Sequence, residues 1–240
     1  MLEFRSNPVS LTFGVEVELQ VLDIESLDLV PRAGELLSRT SIQSLSKELF
    51  KSTVELISPV CNEVSEVDRY FENSFTVLQK EGLDLGLCFS ATGTHPFEHY
   101  TERQVTSTPR YQSLLQRRSG WLLRRTAVYG MHIHLGMKSK EECIRFHNYF
   151  LRFVPHLIAL SASSPFWHGL DTELAACRPT MFESFPTAAI PYHFRSWEEY
   201  ERLVENMLRF GSIESLKDIW WDVRPSPEHG TLEIRICDGI

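Results

Sequence analysis

Phe13-Gly-Val-Glu-Val-Glu-Leu-Gln-Val21 is the stretch on which the fold turns. Its odd positions, Phe13, Val15, Val17, Leu19 and Val21, are apolar, and the even ones are Gly14, Glu16, Glu18 and Gln20. Successive side chains of a β-strand point to opposite faces, so a strand here has one greasy face and one bearing two carboxylates. The same period of two recurs in three other segments. In Thr53 to Ser58, Val54 and Leu56 point one way, and Glu55 points the other with Thr53 and Ile57. In Met131 to Met137, Met131, Ile133, Leu135 and Met137 oppose His132 and His134. In Thr231 to Cys237, Leu232, Ile234 and Ile236 oppose Glu233 and Arg235.

Working outward, Val64, Val67, Phe71, Phe75 and Leu78 recur at helical spacing and predict an amphipathic helix ending near Gly82. Leu83 to Ser90 reads as strand-like. Ser139 with Glu142, and Ser196 with Glu199, have the spacing of capping boxes and predict two more helices of about four turns each. Ser161 to Phe194 is rich in Pro, Ser, Thr and His without a sustained period, the pattern of a functional loop in a compact domain. Helical and strand patterns alternate throughout with no repeat or linker, so residues 1–240 read as one α+β domain.

With the apolar faces packed under the helices, a single sheet would present Glu16, Glu18, Glu55, His132, His134, Glu233 and Arg235 on its open face. Carboxylates crowded on one surface repel unless cations sit between them. A ligand set dominated by oxygen suits Mg²⁺ or Mn²⁺ better than zinc, and two such ions bridging phosphates is the natural use. Each motif alone has a plainer reading. Glu-x-Glu is often a solvated face, and Glu-Ile-Arg an ordinary cross-strand ion pair. The conjunction of all four is what points to a metal and phosphate site. His95, in Gly93-Thr94-His95-Pro96, is either a turn residue or a functional one.

Composition closes off other classes. Asp and Glu outnumber Lys and Arg by 32 to 24, a net charge of −8, which argues against a nucleic-acid partner. Five cysteines without a CxxC pair give no disulfide framework and fit a reducing cytoplasm. The N-terminal stretch has neither the layout of an export signal nor an apolar run of about 18 residues, so no membrane span is expected. Self-association is left open.

Several segments together resemble the bacterial carboxylate-amine ligases related to glutamate-cysteine ligase, within the glutamine synthetase superfamily. They are Phe13-Gly-Val-Glu-Val-Glu18, Ser52-Thr-Val-Glu-Leu56, Ala91-Thr-Gly-Thr-His-Pro96, Arg110-Tyr111, Gly130-Met-His-Ile-His134, Gly169-Leu-Asp-Thr172 with Arg178, and Trp221-Asp-Val-Arg-Pro225 leading to Thr231-Leu-Glu-Ile-Arg235. The resemblance implies a funnel-like, mainly antiparallel curved sheet with helices on its outer face. It implies that ATP phosphorylates a carboxylate, that of glutamate, and that an amine such as cysteine then displaces phosphate to form an amide. Glu16, Glu18, Glu55, His132 and Glu233 would hold the divalent ions, and His134 would contact nucleotide or phosphate. Arg235 and Arg224 would stabilise the transferring phosphoryl group, and Arg178 a substrate carboxylate or phosphate. Metal affinity would then fall as pH drops through the imidazole range near 6.5.

Two departures bear on the acceptor: Ala162-Ser-Ser-Pro165 stands where that family has Ala-Asn-Ser-Pro, and Phe185 to Pro191 lacks a glycine near Ala189. The resemblance further implies a helical C-terminal segment beyond Ile240. Competing readings are a non-catalytic nucleotide- and metal-binding relative, a metal-dependent hydrolase, and a structural subunit, the last disfavoured by the carboxylate face.

Overall fold

The computed structural model describes residues 2–9, 11–117 and 120–240. From the N-terminus, β1 (Phe13–Asp23) is followed by α1 (Ala33–Arg39), β2 (Leu45–Lys47), β3 (Thr53–Ile57), α2 (Val64–Leu83) and β4 (Leu87–Ser90). Next come α3 (Pro109–Arg117), α4 (Gly120–Arg124), β5 (Met131–Gly136), α5 (Lys140–Phe150) and α6 (Val154–Ser161). Short pieces follow: β6 (Phe166–Trp167), β7 (Leu170–Asp171), α7 (Arg178–Phe182) and β8 (Ala188–Ala189). The order closes with α8 (Trp197–Arg209), β9 (Trp220–Trp221), β10 (Val223–Ser226) and β11 (Thr231–Ile234).

The architecture is the expected α+β with a mainly antiparallel sheet. Its strands run in the order β10-β11-β5-β1-β3-β2, and β4 also pairs with β1. Every pairing in this sheet is antiparallel. The 11-residue β1 is the organising strand. Along one edge it pairs with β5 through Phe13 to Val17 and with β4 through Gln20 to Asp23. Its other edge takes β3.

The apolar faces are covered as their period demands. Val15, Val17, Leu19, Val21, Val54 and Leu56 pack with Leu36 of α1 and with Phe71 and Leu78 of α2. A second cluster joins Leu135, Leu232 and Ile234 to Cys143 of α5 and Val154 of α6. A third gathers Trp197, Tyr200 and Val204 of α8 around Trp221. Among the described residues no helix is long and apolar enough to cross a membrane.

Several details differ from expectation for local reasons. On α2, Phe71 and Leu78 are buried, but Val64 is 68% exposed and Phe75 lies at the rim. α2 runs on through Leu83, so the following strand starts at Leu87, after a turn through Gly86 at φ +67°. α2 is capped by Glu63 and Glu66, whose carboxylates accept reciprocal backbone bonds. Glutamate is an uncommon N-cap, which hid this start. Ser139 accepts from Glu142 N–H, but the Glu142 carboxylate reaches Lys138 N–H instead of the cap itself. At α8 the cap hydroxyl of Ser196 makes no such bond, and Glu199 takes the Arg195 N–H. At 11 residues α5 is nearer three turns than four, whereas α8, at 13, is close to the four expected.

The missing glycine has a structural trace: Ala189 sits at φ +74°, a left-handed conformation that costs an alanine about 1 kcal/mol. Ser163 accepts the Gly93 N–H and donates to Gly239 O at 2.6 Å. It therefore knits loops together.

Leu78 and Val64 lie on one helix in opposite environments, which makes a stringent pair. Leu78→Ala should cost about 2 to 5 kcal/mol in urea unfolding, and Val64→Ala less than about 0.5 kcal/mol. Equal costs would contradict the packing described.

Candidate functional site

Cross-strand partners in an antiparallel pair share a face, so the register decides which functional side chains meet. Glu16 lies opposite His132, Glu18 opposite Glu55, Glu233 opposite His134 and Arg224 opposite Glu233. Five adjacent strands, β10, β11, β5, β1 and β3, thus deliver carboxylates, imidazoles and guanidinium groups to one surface. That surface lines a cavity of roughly 730 Å³, within the range of about 300 to 1,000 Å³ usual for small-molecule sites.

Glu16 is the hub. Its Oε2 is 3.2 Å from His132 Nδ1, and its Oε1 is 3.3 Å from His134 Nε2. Two groups of potential ligand atoms, each drawn together within 4.8 Å, share it: Glu16, His134 and Glu233, and Glu16, Glu55 and His132. His134 Nδ1 meets the Thr231 hydroxyl at 2.8 Å, which fixes the ring and leaves Nε2 facing the carboxylates. The Nε2 atom of His132 is buried without a hydrogen-bond partner, and that of His134 faces only the carboxylates of Glu16 and Glu233. Buried polar atoms are ordinarily satisfied, so these fit a divalent cation held by oxygen and nitrogen donors. His134, expected at nucleotide or phosphate, is thereby placed as close to the carboxylates as His132 is.

Glu18 stands slightly apart. Its Oε2 accepts the Gly130 N–H at 2.6 Å, and it belongs to neither group. Arg224 Nε donates to Glu233 Oε2 at 2.9 Å, and Arg235 Nη1 donates to Glu233 Oε1. Arg178 does not reach the cavity. It is 3% exposed, and its Nη1 donates to the carbonyls of Arg235 and Ile236, each at 3.3 Å. A Cβ on Gly130 would come within 2.1 Å of Arg178 Nη2, so only glycine admits the guanidinium there. Arg178, expected to meet a substrate carboxylate or phosphate, here supports the backbone beneath Arg235. His95 is likewise a scaffold residue: its Nε2 meets Leu27 O at 2.9 Å and its Nδ1 accepts the Glu98 N–H.

Some lining residues gave no periodic signal. Glu48 lies just past the short β2, and its Oε2 accepts from Leu49 N–H at 2.9 Å and from the Tyr111 hydroxyl at 3.4 Å. Arg110, Lys217 and Trp220 add basic and aromatic surface to the cavity wall. Only Arg110 and Tyr111 were foreshadowed, as part of the resemblance.

The charges are unevenly held. Burial drives Glu55 well above the usual carboxylate range, with Glu48, Glu16 and Glu18 pushing the same way. Burial and then the Glu48 charge raise Glu18 to about 7, against the pull of Arg178 and the Gly130 amide. Burial also raises Glu48. Glu233 and Glu16 go the other way despite burial. Arg224 and Arg235 hold Glu233 ionised, and hydrogen bonds from His132 and His134 do the same for Glu16. Burial, then Arg235, lowers His132 to about 4, so its imidazole is already neutral, as a metal ligand must be.

The sequence profile of glutamate-cysteine ligase family 2 matches residues 12–240. A Bdellovibrio bacteriovorus protein named as a glutamate–cysteine ligase 2 is 43% identical over 231 residues, 95% of this chain and 61% of that one. One of the same name from Gloeobacter violaceus is 40% identical over 95% of this chain and 62% of its own length. The chain thus spans about three fifths of these relatives. In fold it is similar to a bifunctional glutathione synthetase from Pasteurella multocida, with a TM-score of 0.64 at 16% identity over 95% of this chain and 34% of that one. A Francisella tularensis glutamate–cysteine ligase in complex with AMP gives 0.63 at 13% identity, covering 98% and 62%.

The pKa pattern carries a pH signature. A buried carboxylate whose folded pKa is raised contributes stability that is complete below its unfolded value and lost as pH rises through its folded value. For Glu18 that window runs from 4.5 to about 7. In chelator, Glu18→Gln should therefore gain on wild type by on the order of 2 kcal/mol between about pH 5 and about pH 8. Metal affinity should fall as pH drops because Glu55, whose pKa burial raises, must lose a proton to bind, whereas His132 is already neutral. A Glu18→Gln advantage independent of pH in thermal melts would contradict the assignment.

Proposed function

The chain belongs to glutamate-cysteine ligase family 2, and on that premise we propose that it is an ATP-dependent carboxylate–amine ligase that activates glutamate as an acyl phosphate. The observation that carries this reading is the pair of ligand groups sharing Glu16 inside a cavity that Arg110, Arg224 and Arg235 also line. Carboxylate walls repel a triphosphate, whereas bound divalent cations would let the same wall attract it. Glu16, Glu55 and His132 would hold one ion, and Glu16, His134 and Glu233 a second. Mg²⁺ or Mn²⁺ there would neutralise charge on the phosphate oxygens.

The remaining residues have roles that follow from their bonding. Arg224 and Arg235 grip Glu233 and line the cavity, and Arg224 Nη1 also donates to Ile219 O at 2.7 Å. Guanidinium forks match phosphate oxygens, so these two would bind the γ-phosphoryl group as it passes from ATP to the glutamate carboxylate. ADP leaves, and the amine nitrogen then attacks the acyl carbon. It loses a proton as the C–O bond to phosphate breaks, giving an amide and inorganic phosphate. Arg178 acts through Arg235, by fixing its carbonyl. Arg110 and Lys217 extend the basic lining and suit a nucleotide phosphate or a substrate carboxylate. Cysteine is the acceptor implied by the relatives' names.

Hydroxylamine tests the chemistry directly, because it intercepts an acyl phosphate as a hydroxamate. With glutamate, hydroxamate should form only when both ATP and Mg²⁺ are present, and Arg235→Gln should reduce it by at least about 100-fold. Trapping without ATP would support a metal-dependent hydrolase instead. ATP binding without hydroxamate or ADP release would identify a non-catalytic relative.

A further inference from the structure

The guanidinium of Arg103 is 6% exposed and has a single hydrogen-bond partner, the Tyr129 hydroxyl, which its Nη1 meets at 2.6 Å. Its Nε and Nη2 are buried with no partner, and among the described residues no carboxylate pairs with it. A buried cation is costly unless an anion accompanies it. Arg103 also has a planar fork of donors suited to two oxygens.

What surrounds it is cationic as well. The segment carrying Arg103 is tied to the β6–β7 hairpin by the Thr94 hydroxyl, which donates to Phe166 O, and by the Gly169 N–H, which donates to Pro96 O. At the tip of that hairpin His168 adopts φ +55°, and its Nδ1 lies 3.1 Å from His99 Nδ1, one donating and the other accepting. His168 Nε2 is buried and unpartnered. Burial, then His99, Arg103 and Arg125, lowers the pKa of His168, so every charged group bearing on it is positive. The acidic neighbours Glu98 and Asp28 bear, as Arg103 also does, on His95. Tyr100 stacks beside His168 and accepts from Trp121 Nε1 at 2.7 Å, while Arg125 lies over the Trp121 ring. His99 is exposed and Trp121 is 54% exposed, which leaves this side open to solvent. None of these residues lines the metal cavity.

We propose that Arg103, with His99 and His168 of the facing loop, forms a binding site for a small oxyanion, a carboxylate or a phosphate, separate from the metal cavity. The oxyanion supplies the counter-charge that Arg103 lacks and the acceptor for its free N–H groups. His168 Nε2 can donate to it once the shared proton of the histidine pair rests on His99 Nδ1. Aromatic rings at the mouth suit a ligand with an apolar body behind its charged end.

Imidazole resonances give a local readout. With the metal cavity stripped by chelator, sodium phosphate and sodium acetate are titrated at constant ionic strength while the His99 and His168 ring protons are followed by NMR. A saturable shift at these two histidines with either anion is expected. Tighter phosphate would select phosphorylated ligands, and tighter acetate would select carboxylates. Arg103→Gln should weaken binding by about tenfold or more, with Arg103→Lys intermediate. Should Arg103→Gln fail to fold, the partly exposed His168→Gln, followed at His99, should show a comparable loss. Arg235→Gln, in the cavity, should leave binding unchanged. Absence of a saturable shift with both anions, shifts confined to His132 and His134, or binding retained in His168→Gln and in any folded Arg103→Gln, would overturn the site.

Discussion

Like charges fixed side by side in a buried wall repel one another, and the sheet imposes that repulsion through its register. Once Glu18 is paired across from Glu55, and Glu16 lies one strand step away opposite His132, none of these groups can retreat without breaking the ladder. The protein settles the conflict unequally. Glu16 and Glu233 stay ionised because imidazoles or arginines answer them, whereas Glu18, Glu48 and Glu55 are pushed toward the protonated form. A carboxylate set that cannot all ionise by itself is poised to receive cations, because each ion relieves strain already present.

The rest of the fold serves that wall. Alternation puts Val15, Val17, Leu19, Val54, Leu56, Leu232 and Ile234 against the helices, and their burial is what holds the polar faces in register. Behind the wall, Arg178 occupies the space that Gly130 leaves open, and its bonds to the carbonyls of Arg235 and Ile236 steady the end of the sheet from which Arg235 projects. Gly130 offers its N–H to Glu18 on the other side. One glycine thus connects a buried arginine to the carboxylate face, so changes at either should be felt at the other.

Much of this was legible in the sequence because the period of two is strict in all four strands that carry the site. The faces of Glu16, Glu55, His132, His134 and Glu233 followed from alternation alone, and the α+β class from the mixture of periods. Other features lie outside any period. Glu48 follows a three-residue strand, too short to show alternation, and faces the cavity only because the chain turns there. Arg178 was expected at a substrate carboxylate or phosphate; no sequence pattern reveals that its guanidinium bonds to a backbone carbonyl 57 residues away. The glutamate cap of α2 was hidden because glutamate is a poor predictor of helix starts. His132 was expected to titrate in the ordinary imidazole range, but burial and Arg235, both properties of the assembled sheet, move it to about 4.

Glu16 stands in both ligand groups, and that sharing is the feature on which the functional account rests. Mn²⁺ titration followed by electron paramagnetic resonance, with bound ions counted, tests it most directly. The account predicts two bound ions with magnetic coupling between them, loss of both in Glu16→Gln, and loss of only one in Glu55→Gln. One ion or none in the wild-type chain, or two ions persisting in Glu16→Gln, would contradict it.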